Sequence, residues 1–143
     1  MEKEDCKNFV VLVVDDEEDY AAIISRMLGL EGFQTLVAHS GHQAVETLKS
    51  AKVHAVISDV RMSDGDGLEL LTNINSNKST DLLAFAFITG FTESNPEELL
   101  SLGADKVFPK PIDLGEVVQF LKTTITKKQE LRHDSSEPRL FGS

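Results

Sequence analysis

Four apolar runs in the chain each stop on a side chain with a chemical use. Phe9 to Val14 runs into Asp15 and Asp16, and Ala55 to Ser58 runs into Asp59. Ala84 to Ile88 ends at Thr89, and Val107-Phe108-Pro109 ends at Lys110. Carboxylates about 4 Å apart repel by about 4 kcal/mol at an effective dielectric near ~20, so three of them together call for protons or a cation. An all-oxygen donor set selects a hard ion, and magnesium suits a half-open site that shares its shell with a phosphate. Asp59 stands alone after its run, where a carboxylate can attack phosphorus and form an aspartyl phosphate. Lys110 would neutralise the oxygens of the phosphoryl group in transfer. Thr89 would hydrogen-bond one of those oxygens, and Gly90 leaves room for the group. Glu17, Glu18 and Asp19 have a plainer reading, as the acidic start of a helix.

These groups act together only if the strands carrying them end on one rim. Short apolar runs bounded by polar residues are strands buried on both faces, and in an open α/β sheet ligands bind at their carboxyl ends. Phe33 to Ala38 supplies a further strand. Helical patterns fill the gaps. Asp19 to Leu30 places Ile23, Ile24, Met27 and Leu28 on one stripe, with Gly29 and Gly32 as its stop. Ser40 caps a helix with Ala44, Val45 and Leu48. The Gly-rich loop 63–67 leads into Leu68, Leu70, Leu71 and Ile74. Asn95 and Pro96 open a short helix through Leu99, Leu100 and Leu102, and Asp113 starts an amphipathic one using Val117, Val118, Leu121 and Ile125. The order is (βα)₅, an α/β fold in which a doubly wound parallel sheet lies between helices.

The bulk numbers exclude several classes. A chain of 143 residues, 41% hydrophobic and 27% charged, is one domain with a proper core. Its net charge of −10 repels nucleic acid and anionic membrane, so neither is expected as a direct partner. Cys6 is the only cysteine, which rules out an intrachain disulfide and a Cys-rich zinc site. Its polar surroundings suggest a surface thiol. No run reaches the roughly 20 apolar residues of a membrane span, and MEKEDCKN is no secretory signal, so a cytoplasmic location is expected. His39, His42, His54 and His133 have no metal-ligand spacing, and none is placed to be the chain's own phosphodonor. Residues 127–143 are polar, and we expect there a frayed helix end followed by a disordered tail, or the start of a linker.

Val13-Val14-Asp15-Asp16-Glu17, Asp59 with Met62 and Asp66-Gly67, Thr89-Gly90, and Gly103-Ala104 leading to Lys110-Pro111 occur in this order. Over residues 8–126 the chain thereby resembles the receiver domain of bacterial two-component response regulators. The resemblance implies a flavodoxin-like five-stranded sheet of order 2-1-3-4-5. It implies a phosphoprotein in which Asp59 accepts a phosphoryl group from a phosphohistidine on a sensor histidine kinase or a histidine phosphotransfer protein. Such a chain is a signalling phosphoacceptor that catalyses only its own phosphorylation and dephosphorylation. Magnesium, with manganese as a substitute, would be held by Asp16 directly, by Asp15 largely through water, by Asp59, and by the backbone carbonyl of Arg61. Lys110 would pair with Asp59 and then with the phosphoryl group, Thr89 would swing in to meet it, and Lys110-Pro111 would be cis. A downstream protein would dock on the face made by the fourth helix, fifth strand and fifth helix.

Two departures from the family pattern carry expectations of their own. Val107 stands where the family usually has a switch aromatic, and alternation points Phe108 to the opposite face. Ser63 and Gly65 replace a proline and a large apolar residue after Asp59, so a looser loop is expected. Arg61 and Phe91 flank the path of an attacking water and are candidates for slowing dephosphorylation. Two rival readings share the rim: a magnesium-dependent aspartyl-phosphate phosphatase of the haloacid-dehalogenase type, and an interaction module that works without phosphorylation. The first would place its nucleophile after the first strand in an Asp-x-Asp pattern, where this chain reads Asp15-Asp16-Glu17. The second would normally lack one of the rim groups.

Overall fold

Three central runs rich in Val, Ile, Ala and Phe are buried on both faces and need a layer on either side, and two half-exposed runs pair in parallel with them at the edges. In the computed structural model these are β1 (Val10–Val14), β2 (Gln34–Ala38), β3 (Ala55–Asp59), β4 (Ala84–Thr89) and β5 (Lys106–Pro109). Their order is β2-β1-β3-β4-β5, the flavodoxin-like order expected from the resemblance. The helices are α1 (Lys3–Cys6), α2 (Glu18–Leu30), α3 (Gly41–Ser50), α4 (Gly67–Asn77), α5 (Pro96–Ser101) and α6 (Leu114–Ser136). The structure describes residues 1–77, 81–90 and 95–136.

Strand alternation divides the core in two. Val11, Val13, Ile57, Ala86, Ile88 and Phe108 face the layer of α2 and α6. Leu12, Val14, Val56, Phe85 and Phe87 face the layer of α3, α4 and α5. The register sets Val14 beside Ser58, Asp59 beside Ile88, and Thr89 beside Pro109, which brings the strand ends to one rim. Local caps fall where the sequence placed them. Ser40 accepts a hydrogen bond from the Gln43 N–H at 3.0 Å, and Asn95 accepts one from Glu97 at 2.8 Å ahead of Pro96.

Three features differ from expectation. Cys6 is fully buried, not a surface thiol, because α1 folds over Gly32 and packs Cys6 with Phe9 and Phe33. There it acts as a small apolar residue, and burial pushes its thiol pKa up. On α2 only Ile24 and Leu28 of the predicted stripe are buried, while Ile23 and Met27 are 60% and 42% exposed. The buried arc is narrower than the apolar one. Finally, α6 continues as helix through residues 127–136, further than the frayed end expected there, and Lys128 pairs with Asp105 at 2.6 Å. Because α1 comes first, the fourth and fifth helices of the sequence reading are α5 and α6.

Gly67, the first residue of α4, sits directly against the end of β3. Its N–H donates to Val60 O at 2.9 Å, and a Cβ there would collide with the Asp59 carbonyl and lie 2.9 Å from Phe87. Gly67→Ala is therefore expected to cost about 1–3 kcal/mol and to displace Asp59. Denaturant midpoints together with magnesium titration would check both effects.

Candidate functional site

Asp15 is the residue on which the rim is built. It follows β1, is 1% exposed, and its Oδ1 accepts the Glu17 N–H at 2.9 Å. Its Oδ2 is buried with no hydrogen-bond partner among the described residues. Asp59, at the end of β3, is also buried, and its Oδ2 accepts from Lys110 Nζ at 3.0 Å. Lys110 follows β5 and reaches three carboxylates, with Glu17 Oε1 at 3.4 Å and Asp15 Oδ2 at 3.7 Å. The ring of Tyr20 lies 5.0 Å from the same ammonium. Thr89 is buried at the end of β4 and donates its hydroxyl to Gly90 O at 3.2 Å, while the Lys110 N–H donates to Thr89 O at 2.9 Å. The Lys110-Pro111 bond is cis.

The predicted groups do not all converge. Among the described residues, one oxygen each from Asp15, Glu17 and Asp59 lie within 4.8 Å of one another. Asp16 is outside that group, exposed, with its Oδ2 taken by the Ser63 N–H at 3.3 Å. Glu17, read from sequence as a plain helix start, is inside it. Arg61 is exposed beside the rim, and Phe91 lies outside the described residues. Val107 is half-buried against the core layer of α4 and α5, whereas Phe108 is buried on the opposite face, 5.7 Å from the Phe120 ring. Tyr20 was not anticipated at all. The signal was there, since Glu17 and Tyr20 are three apart on one helical start and so share a side.

The loop after β3 is tied more firmly than Ser63 and Gly65 suggested. The Gly41 N–H donates to Gly65 O at 2.6 Å, and His42 Nδ1 meets Asp64 Oδ1 at 2.9 Å. Gly65 takes a left-handed φ of 77°, and a Cβ on it would lie 2.8 Å from the His42 ring. The imidazole fills the space a larger side chain at Gly65 would claim.

Charge at the rim is unevenly balanced. Burial raises the Asp15 pKa to about 6, the charges of Asp59 and Glu17 adding to it against the Glu17 N–H and Lys110. Burial works against the Lys110 ammonium, but its bond to Asp59 and the neighbouring carboxylates outweigh that and hold its pKa above the ordinary value. An unbonded buried oxygen and three clustered carboxylates fit a hard divalent ion. Such an ion would supply positive charge beside phosphoryl oxygens, held here by Asp15 and Asp59 with Glu17 at hand.

The Asp15 shift fixes a pH dependence. Its folded pKa of about 6 lies above the ordinary 3.8, so between those values the folded chain binds the proton more tightly than the unfolded chain. Without a divalent ion, the contribution of this one group to stability is therefore fully present below about pH 3.8 and falls by roughly 3 kcal/mol as pH rises through that window. An ion must displace the same proton. Magnesium is expected to raise the melting temperature at about pH 7.5 and to lose most of that effect near pH 5, as thermal unfolding with and without the ion would reveal.

Comparison with known proteins decides the lineage. The family model described as "Response regulator receiver domain" matches residues 11–122. The chain belongs to this family. Among curated relatives, the regulatory protein VanRc of Enterococcus gallinarum is 30% identical over 129 residues, covering 90% of this chain and 54% of that protein. A response regulator receiver protein from Pseudomonas putida is 27% identical with a TM-score of 0.73, over 80% of this chain and 96% of that one. TrrA of Thermotoga maritima, solved in complex with Mg(2+)-BeF, is 27% identical with a TM-score of 0.71, over 81% and 98%. The chain spans about half the length of the curated relatives first matched. It is thus a receiver domain of two-component response regulators, a phosphoacceptor module rather than an enzyme in the ordinary sense. Among the described residues, no helix of this receiver is long and apolar enough to cross a membrane.

Proposed function

We propose that Asp59 is the phosphoacceptor and that its partner Lys110 neutralises the transferred group. The observation that carries this is the part-buried 3.0 Å bond between Lys110 Nζ and Asp59 Oδ2 beside the Asp15 oxygen that has no hydrogen-bond partner among the described residues. A carboxylate oxygen of Asp59 attacks phosphorus, and the bond from phosphorus to the donor's imidazole nitrogen breaks. That nitrogen keeps the electron pair and takes up a proton. In the later hydrolysis, water attacks phosphorus, the bond from phosphorus to the Asp59 oxygen breaks with its electron pair left on that oxygen, and inorganic phosphate and the free carboxylate result. Lys110 follows the charge onto the phosphoryl oxygens, Thr89 hydrogen-bonds one of them, and Gly90 leaves space for the group. Magnesium, or manganese in its place, would be held by Asp15 and Asp59, and Asp16, once released from the Ser63 N–H, and the Arg61 carbonyl would complete the protein ligands. The Arg61 side chain screens the phosphoryl group from water.

The donor is a phosphohistidine on a sensor histidine kinase or phosphotransfer protein in the cytoplasm. The receiver unit covers 8–126, and a partner protein reads its state on the face of α5, β5 and α6. Leu100 and Leu102 are already exposed at that face. Incubation of the whole chain with magnesium and acetyl phosphate, followed by intact mass, tests the reading. One acid-stable, base-labile phosphoryl group is expected to accumulate. Turnover of donor without accumulation would mean a phosphatase, and no reaction would mean an interaction module.

A further inference from the structure

We propose that Tyr20 is a positioning residue for Lys110, holding its ammonium in register with Asp59 from the first turn of α2. The proposal rests on the acceptor reading above. A lysine side chain is long and flexible, and a charge stabilises a transferring group best when it is already in place. Lys110 Nζ has carboxylates at 3.0, 3.4 and 3.7 Å, and the Tyr20 ring lies 5.0 Å away. An aromatic face attracts an ammonium and gives it no proton acceptor to prefer over Asp59. The Tyr20 hydroxyl is buried with no hydrogen-bond partner among the described residues, so it is the ring that serves this place. Glu17, three residues earlier, contacts the same ammonium, so the start of α2 grips Lys110 with two side chains. Val107 leaves β5 with no aromatic at the position the family uses for sensing. The ring beside Lys110 therefore comes from α2.

The chain contains one tyrosine and no tryptophan, so its intrinsic emission reports on Tyr20 alone. In the whole chain with magnesium and saturating acetyl phosphate, Tyr20→Leu is expected to slow phosphoryl uptake about three- to tenfold. Tyr20→Phe, which keeps the ring, is expected to recover most of that rate. On a Lys110→Met background, Tyr20→Leu should add no further loss. Wild-type emission should change when magnesium and beryllofluoride are added together, as Lys110 shifts its contacts. A Tyr20→Leu rate equal to wild type, a Tyr20→Phe rate as slow as Tyr20→Leu, or full additivity with Lys110→Met would each overturn the proposal. If the wild-type chain itself takes up no phosphoryl group, the acceptor reading falls. Uptake by wild type with an indifferent Tyr20 leaves that reading standing and removes only this one.

Discussion

Asp59→Asn protein, given magnesium and acetyl phosphate, is expected to keep its unmodified mass. The amide fills nearly the same volume, but its oxygen is a poor nucleophile toward phosphorus, so uptake is lost outright. Loss of fold could give the same result, and electrostatics separates the two. In the native cluster Asp59 repels Asp15 and Glu17, all within 4.8 Å, and is attracted by Lys110 at 3.0 Å. Removing its charge relieves two repulsions and gives up one attraction. Without a divalent ion the variant should therefore melt no lower than wild type. With magnesium its gain in melting temperature should shrink, because one ligand has lost its charge. A variant that melts well below wild type would mean that Asp59 serves the fold rather than the chemistry.

Much of this was legible because the informative residues close apolar runs. A strand buried on both faces has a hydrophobic signature, and the polar residue that ends it marks the rim. Asp15, Asp59, Thr89 and Lys110 were legible in this way, and the register brings them together. Composition could not rank the acidic residues that follow Asp15. Glu17 and Asp16 differ in role only because the Ser63 N–H holds Asp16 while Lys110 draws in Glu17. Both partners are distant in sequence. The burial of Cys6 is hidden for a similar reason, since it depends on α1 packing over Gly32. The tie of α6 beyond residue 126 is likewise a long-range pair, that of Lys128 and Asp105. The hidden features are set by contacts between segments far apart in the chain.

Lys110→Met should have the second-largest effect, and its consequences run opposite to those of Asp59→Asn. Methionine keeps the length and apolar stem of the side chain but removes the ammonium. Uptake from acetyl phosphate is expected to fall by about 10²–10³, the usual loss when a preorganised charge no longer meets the transferring group. Among the described residues Lys110 is the cation paired with Asp15, Glu17 and Asp59, so the apo protein loses its internal counter-ion. Breaking a fully buried pair costs about 3–5 kcal/mol. Here Glu17 is exposed and Asp15 can take up a proton, so a loss of about 1–3 kcal/mol is expected at neutral pH. Magnesium should restore much of it, and so should lowering the pH, since either supplies the missing positive charge. Denaturation at neutral and acidic pH, with and without magnesium, measures all of this on one sample. If Lys110→Met melted like wild type in the absence of the ion, the repulsion assigned to the three carboxylates would be too small to matter. The two variants cut the same 3.0 Å bond from opposite ends. Both lose the chemistry, yet one lowers the net negative charge of the cluster and the other raises it, so their apo stabilities should diverge.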